Sequence, residues 1–459
     1  MNMSDTDVLN LKRFGAILNK LSYSDFNLII AGSDIYCSNP LPDYYLLKRE
    51  IKKIPPGMRD LFAFLMLGDP VNKLSIIQKF DRDIIHTLQK LDIMNSDNSE
   101  CWLNNFVMIS YCNMFFFVSN PHYYPTNQDV NQHTYIGPDS YWLSNFTINR
   151  TGGKILDLCT GSGIQAILSA RTAERVVGVD LDENACIIAR INAIINNLEH
   201  KVSFLNGDLY RALNEIEKFD IIMANPPFLP IPENLYFPLS GNGGTDGLSL
   251  IMKIVDGLKY YLNDTGTCYI TGQTPGFDNH VFLSDQLRML LPNFCIHIIY
   301  SDRIPIEYME IMLSEYSSFF ANQSLITREY IRNDSSLKAN CLYKFHLCVS
   351  KQSNDFSEHF INDNWRLSDI PKTNASWTRS STNYQLSNGK NHIIVNKDIF
   401  EFVKRIDGKK SISEIIQDLP IDVTAKFGEN FYEYLSMQFA ATCGMLERKK
   451  IIENHSRSN

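Results

Sequence analysis

Between about residues 132 and 351, seven short apolar runs of strand character alternate with stretches of helical spacing. That alternation leaves little choice of fold, because parallel strands need crossover connections and the crossover helices cover both faces of the sheet. The strands expected are 154–159, 175–180, 202–206, 220–224, 267–271, 294–300 and 343–349. A seven-stranded, doubly wound α/β domain over residues 131–352 is the expected core.

The chain has 459 residues, too many for one typical domain, so flanking units are expected. Residues 1–130 read as a mainly helical unit, with helical spacing at Tyr44–Ile51 and Arg59–Leu67, the second stopped by Gly68-Asp69-Pro70. Two short helices, Leu74–Phe80 and Ile84–Ile93, then precede strand-like runs at Phe106–Tyr111 and Phe115–Val118, a winged-helix-like order. The second helix carries Asp83, His86, Gln89, Lys90 and Asp92, so it is not basic, and packing or partner binding is expected of it. A long insertion, 303–340, has helical periodicity around Tyr308–Leu313. After a polar linker at 352–357, residues 360–459 read as a small unit of strand, helix, turn and a second helix capped by Ser411 and Glu414; a helical docking domain is expected, and the pattern also resembles small winged-helix modules.

Composition removes several function classes. Hydrophobic content of 44% and charged content of 20% describe a globular chain. No apolar run approaches the ~20 residues of a membrane span, and Met1-Asn2-Met3-Ser4-Asp5 has no basic region before an apolar stretch. A cytoplasmic location without membrane partners is expected. The ten cysteines form no Cys-x-x-Cys pair and stand near no histidine cluster, so reduced thiols and no metal site are expected. A net charge of −8 argues against a dominant contact with nucleic-acid phosphates.

The chemistry is concentrated at strand ends. Gly161-Ser162-Gly163-Ile164-Gln165-Ala166 follows a strand and opens a helix, where glycines admit a cofactor close to the backbone. Asp180 ends the next strand at the offset of an acid that grips ribose hydroxyls, and Asn206-Gly207-Asp208 ends the third. This spacing serves a nicotinamide dinucleotide and S-adenosylmethionine (SAM) equally well. Taken alone, Asp157 could order the loop, and Asp180 and Asp208 could be plain solvated carboxylates. The fourth strand ends in Asn225-Pro226-Pro227-Phe228, which offers a side-chain carbonyl, a proline carbonyl and a ring face. Those parts hold a planar NH2 group.

Asp157-Leu158-Cys159-Thr160-Gly161-Ser162-Gly163 resembles the first motif of class I SAM-dependent methyltransferases, which carry an acid where dinucleotide folds keep an apolar residue. The segment Ile222–Phe228 resembles that of amino-methyltransferases acting on exocyclic nitrogens of adenine or guanine, or on glutamine amides. Gly243–Leu250 is similar to the segment opening the next helix in release-factor glutamine methyltransferases, and Thr134–Tyr141 stands in the place of their lid over the cofactor's methionine end. The resemblance is closest over Lys154–Leu250 and departs in both flanks; as a whole the chain is similar to larger bacterial methyltransferase small-domain proteins.

The resemblance implies a Rossmann-like methyltransferase core, with SAM held by Asp157, Gly161, Gly163, Asp180 and Asp208 and with Asn225 at its reacting end. It implies catalysis by Asn225, Pro226 and Phe228. The expected activity is N-methylation of a planar amide or amino nitrogen. Charge favours a protein, peptide or small-molecule acceptor; the alternatives are a nucleobase amine and a non-catalytic SAM-fold scaffold. The sequence does not set the oligomeric state.

Overall fold

The computed structural model describes residues 3–24, 51–120, 134–146, 152–306 and 339–360 apart from short gaps, and shorter pieces up to residue 454. Helix α1 (Asp5–Lys20) opens on a reciprocal cap between Ser4 and Asp7. Helix α2 (Pro56–Phe62) continues through one π-helical turn, Ala63–Leu67, and ends at Gly68 in the left-handed region, as expected from sequence. After β1 (Val71–Asn72), helix α3 (Lys73–Lys90) is broken at Asp81, where φ is 57°. The Asp81 carboxylate accepts the Asp83 and Ile84 N–H groups, both at 3.1 Å, and so starts the second half. The expected pair of short helices is therefore present.

The strands that accompany this pair differ from expectation. β2 (Met94–Ser96) and β3 (Glu100–Leu103) form a hairpin, and the sheet order is β1-β3-β2. The runs expected to serve as the ribbon, now β4 (Phe106–Tyr111) and β5 (Met114–Ser119), do pair with each other, but as a separate hairpin. Lys90, at the end of α3, makes an ion pair with the buried Asp7 carboxylate at 2.6 Å.

The core continues with α4 (Pro138–Phe146), β6 (Lys154–Leu158), α5 (Ile164–Ala170), β7 (Arg175–Asp180), α6 (Glu183–Ile195), β8 (Val202–Asn206) and β9 (Phe219–Ala224). Helix α7 (Ser249–Tyr261), β10 (Leu262–Phe277), β11 (His280–Val281), α8 (Phe282–Leu290), β12 (Cys295–Pro305), β13 (Cys341–Ser350) and β14 (Phe356–Phe360) complete it. The sheet order is β14-β12-β13-β10-β9-β6-β7-β8, with β11 on β10 and β13 antiparallel to both neighbours. All seven expected strands are in it.

β14 is an addition at the edge, and it begins inside the stretch read as a linker. The helical reading at 308–313 lies outside the described residues save Met309.

Register matters more than strand count for function. Leu158 stands beside Val179 and Ala224, and Asp180 beside Asn206, so the carboxyl ends of β6 to β9 form one level edge. Every motif residue leaves the sheet there. Ile188, Ile191, Ile194 and Ile195 of α6 face away from the sheet into the apolar core of the N-terminal unit.

The C-terminal pieces contain a three-stranded meander over 376–395, then α9 (Lys397–Val403), a turn at Gly408 and α10 (Ile412–Gln417) with the expected Ser411–Glu414 cap. Among the described residues no helix is long and apolar enough to cross a membrane.

Candidate active site

The turn after β6 bends through three positive φ values, Cys159 at 58°, Gly161 at 52° and Gly163 at 81°. The two glycines are required for different reasons. A Cβ on Gly163 would lie 3.0 Å from the Ala189 side chain and 3.1 Å from the Phe204 ring, so the turn packs against α6 and β8 there. Among the described residues, a Cβ on Gly161 would meet nothing within 4 Å. Open space at a backbone that must adopt a left-handed conformation is what a cradle for a cofactor needs.

Asp157 is buried beneath this turn. Its Oδ2 accepts from the Thr160 hydroxyl at 2.6 Å and from the Ala166 N–H at 3.1 Å. Burial pushes its carboxyl up to about 7, with the nearby Asp180 charge adding to the rise. The structure thus uses Asp157 to order the turn. Cys159, in the left-handed region where glycine is the easier residue, keeps a thiol whose pKa is raised by burial and by Asp180, Asp157 and Asp208.

Asp180 anchors the same turn from the next strand. Its Oδ2 accepts the Gly161 N–H at 2.8 Å and its Oδ1 the Asp182 N–H at 3.0 Å. Burial raises its carboxyl above the ordinary range, against the pull of those N–H groups. Asp208 is half-buried at the end of β8, 3.3 Å from the Arg211 guanidinium. Beside Asp180 lies Leu181, 57% exposed, an apolar surface next to a hydrogen-bonding edge. Sequence reasoning missed it; the only local signal is an apolar residue directly after a strand-end acid.

Asn225 leaves β9 just past Ala224, which pairs with Ile270. Its Nδ2 donates to Asp139 on α4 at 2.5 Å and lies 3.4 Å from the Ser140 hydroxyl. Its Oδ1 is buried and has no hydrogen-bond partner among the described residues. Pro226 is buried and Phe228 half-buried, with the Phe228 side chain over Gly272, where a Cβ would approach it to 3.4 Å. The glycine-rich segment that follows packs under this loop: a Cβ on Gly243 would lie 2.7 Å from Phe228 Cα, and one on Gly247 2.5 Å from the Phe228 carbonyl oxygen. That is the physical need behind Gly243-Gly244-Thr245-Asp246-Gly247.

The segment at 134–146 joins the two halves. Gln165 of α5 donates to the Ser140 carbonyl at 2.6 Å and accepts from the Ser144 hydroxyl at 3.1 Å, while the neighbouring Asp139 holds Asn225. The structure therefore gathers the glycine turn, Asp180, Asp208 and Asn225-Pro226-Pro227-Phe228 along one edge, with α4 bonded to Gln165 and Asn225. Asp139 was not singled out by sequence.

Sheet order, antiparallel seventh strand and strand-end motifs together define the class, a class I SAM-dependent methyltransferase core. The family model for ribosomal protein L11 methyltransferase (PrmA) matches residues 141–231. A release factor glutamine methyltransferase from Thermodesulfovibrio yellowstonii is 35% identical over 151 residues, 30% of this chain and 53% of that protein. A ribosomal protein uL3 glutamine methyltransferase from Burkholderia pseudomallei is 31% identical over 134 residues, 26% of this chain and 44% of that protein. A putative protein N5-glutamine methyltransferase from Methanocaldococcus jannaschii is 32% identical over 137 residues, 29% of this chain and 68% of that protein. The chain belongs to the protein N5-glutamine methyltransferase family. It spans about half the length of the first two of these relatives, 53% and 44%.

Proposed function

We propose that the protein transfers a methyl group from SAM to the side-chain amide nitrogen of a glutamine in a protein acceptor. The observation that carries this reading is the buried Oδ1 of Asn225, beside Pro226 at the end of β9, which has no partner among the described residues. A buried carbonyl without a donor costs about 1 to 3 kcal/mol, so a donor belongs there in the working state.

The residues at the other end of the edge fit the cofactor. Gly161 has open space before it, Asp180 and Asp208 present carboxylates suited to hydroxyls and an amino edge, and Leu181 offers an apolar face. Held by the turn at Gly161, by Asp180 and Asp208 and against Leu181, SAM would supply an electrophilic methyl group to the acceptor nitrogen, which would give up one N–H proton in exchange.

An amide nitrogen is a poor nucleophile because its pair is delocalised. Asn225 Oδ1 and the Pro226 carbonyl accept its two N–H groups, orient the pair and take up positive charge as it grows. Proline at 227 has no N–H to compete for the site. Phe228 covers the amide plane. Orientation of this kind supplies roughly 7 to 11 kcal/mol in well-aligned systems.

The acidic chain and the internal use of Lys90 favour a protein acceptor over a nucleobase. We read the two flanks, 1–130 and 360–459, as winged-helix-like units that dock the acceptor, and the location as cytoplasmic. The test is incubation with methyl-labelled SAM and either a release factor or ribosomal protein uL3, followed by hydrolysis. N5-methylglutamine in the protein fraction is expected; label that only nuclease releases would overturn the reading.

A further inference from the structure

Asn225 must face its acceptor with oxygen rather than nitrogen, yet nothing in its shape ensures this. The two ends of a primary amide are nearly the same size, and a half-turn exchanges donor for acceptor at little steric cost. Orientation has to come from a neighbour that accepts only.

Asp139 is such a neighbour. It stands in the first turn of α4, buried, with Oδ2 at 2.5 Å from Asn225 Nδ2 and Oδ1 at 3.2 Å from the Tyr135 hydroxyl. Both contacts present hydrogen to the carboxylate. If Asn225 turned over, two oxygens would meet at hydrogen-bond distance in a buried site, and the acceptor's NH2 would face another NH2.

We propose that Asp139 is the positioning residue that fixes the Asn225 amide with Oδ1 toward the acceptor, and that its charge, passed through that amide, strengthens Oδ1 as a hydrogen-bond acceptor. The strengthening of Oδ1 rests on the transfer reading; the fixed orientation of the Asn225 amide does not.

Protonation is the way to switch this off. A protonated Asp139 is a donor, so it tolerates the reversed Asn225. Burial raises its pKa, while the bonds from Asn225 and Tyr135 and the charge of Lys344 pull it down. The groups facing it are Tyr135 ahead of α4, Asn225 from β9 and Lys344 from β13, which lies 4.3 Å from the Trp142 ring centre; His346 of β13 meets the edge of the same ring. An acid in the first turn of a helix also suits the helix dipole, and that bland role predicts no effect on Asn225.

Two measurements on the full-length protein separate these. With selective 15N-asparagine labelling, the Asn225 side-chain amide is identified by its loss in Asn225→Ala. One of its protons should lie downfield and shift in a single titration as pH falls, and Asp139→Asn should abolish that titration. In the assay above, Asp139→Asn should lower kcat by about 10- to 100-fold, with KM for SAM within about 2-fold and the acid limb of the kcat profile lost. Asp139→Glu should restore part of kcat. An Asn225 amide signal indifferent to Asp139→Asn, or an unchanged kcat, overturns the proposal. If the wild type methylates no glutamine, the transfer reading falls and the amide signal alone decides whether Asp139 orients Asn225.

Discussion

Asn192 holds Phe117 as one strand holds another: its Oδ1 accepts the Phe117 N–H at 2.8 Å and its Nδ2 donates to the Phe117 carbonyl at 3.0 Å. One helical turn on, Asn196 repeats the pair with Phe115 at 2.9 and 2.7 Å. The spacing explains why this works, since four helical residues rise about 6.0 Å and two strand residues about 6.6 Å. Helix α6 thereby covers an edge of the β4/β5 hairpin that would otherwise be open to another chain. The same Asn192 nitrogen also reaches the Ser162 carbonyl in the glycine turn at 2.9 Å, so one buried amide ties the N-terminal hairpin to the cofactor cradle.

Asn192→Leu should therefore do two things at once. It keeps apolar volume but leaves the Phe117 N–H and two carbonyls without their partner, at about 1 to 3 kcal/mol for each group that water cannot reach. A lower thermal midpoint together with weaker SAM binding is expected, read by scanning calorimetry and isothermal titration. A variant that lost stability but bound SAM as the wild type does would break the proposed link between hairpin and cradle.

Much of the core was legible because its strands are long apolar runs bounded by turn residues. The parts that were missed had no such signal. Met94-Asn95-Ser96 and Glu100-Cys101-Trp102-Leu103 are too short and too polar for a period of two to stand out, so the stronger runs at 106–118 read as the ribbon instead. Phe356–Phe360 looks like linker because an edge strand needs polar residues. Within the site, the glycines, Asp180 and Asn225 sit in local motifs. Asp139 and Asn192 do not: their partners lie 86 and 75 residues away, and only the folded sheet brings them together.

Asp180→Ala is expected to weaken SAM binding by about 2 to 3 kcal/mol, the usual loss for charge-assisted hydrogen bonds. Asp208→Ala should cost less, because Asp208 is half-buried and already shares its charge with Arg211, whereas Asp180 also anchors Gly161. Isothermal titration with SAM and with NAD decides the matter. Equal losses in the two variants, or wild-type binding of NAD alone, would sink the assignment.

Asn225→Ala should leave SAM affinity nearly unchanged and cut turnover by roughly 10²- to 10³-fold, the effect of removing one preorganised polar contact from a transition state. The reason is geometric, since Oδ1 has no partner among the described residues and Nδ2 is taken by Asp139. Steady-state rates and binding are measured on the same preparation. Loss of SAM binding without a separate turnover effect would place Asn225 at the cofactor instead.

Asp157 gives a pH dependence with a definite sign. Burial lifts its carboxyl from 3.8 to about 7 in the folded protein, so the folded state holds the proton more tightly than the unfolded chain. The resulting contribution is fully present below pH 3.8 and is lost as pH rises through about 7. The span corresponds to something on the order of 4 kcal/mol. Asp157→Asn keeps an acceptor for Thr160 and Ala166 but cannot titrate, so it should gain stability relative to the wild type between pH 5 and 8. Denaturant unfolding of both proteins at the two pH values gives the difference, in which other titrating groups cancel. A difference independent of pH would mean that Asp157 ionises normally.

Two glycines in the N-terminal unit should respond to alanine in opposite directions, although both lie in helices, where alanine is favoured by about 1 kcal/mol. A Cβ on Gly15 of α1 would stand 2.0 Å from the Ile195 carbonyl oxygen at the end of α6, and a backbone atom cannot swing aside. To admit it, α1 must move off α6 and loosen Leu11, Phe14 and Leu18 from Ile191, Ile194 and Ile195. Overpacking of that kind costs typically 1 to 3 kcal/mol or more, which outweighs the gain in propensity. A Cβ on Gly57 of α2 meets nothing within 4 Å among the described residues, so Gly57→Ala keeps the gain. Gly15→Ala should lower the thermal midpoint and speed amide exchange along α1, while Gly57→Ala raises the midpoint or leaves it unchanged. Shifts of the same sign in both variants would show that α1 does not seat on α6 as closely as Gly15 allows.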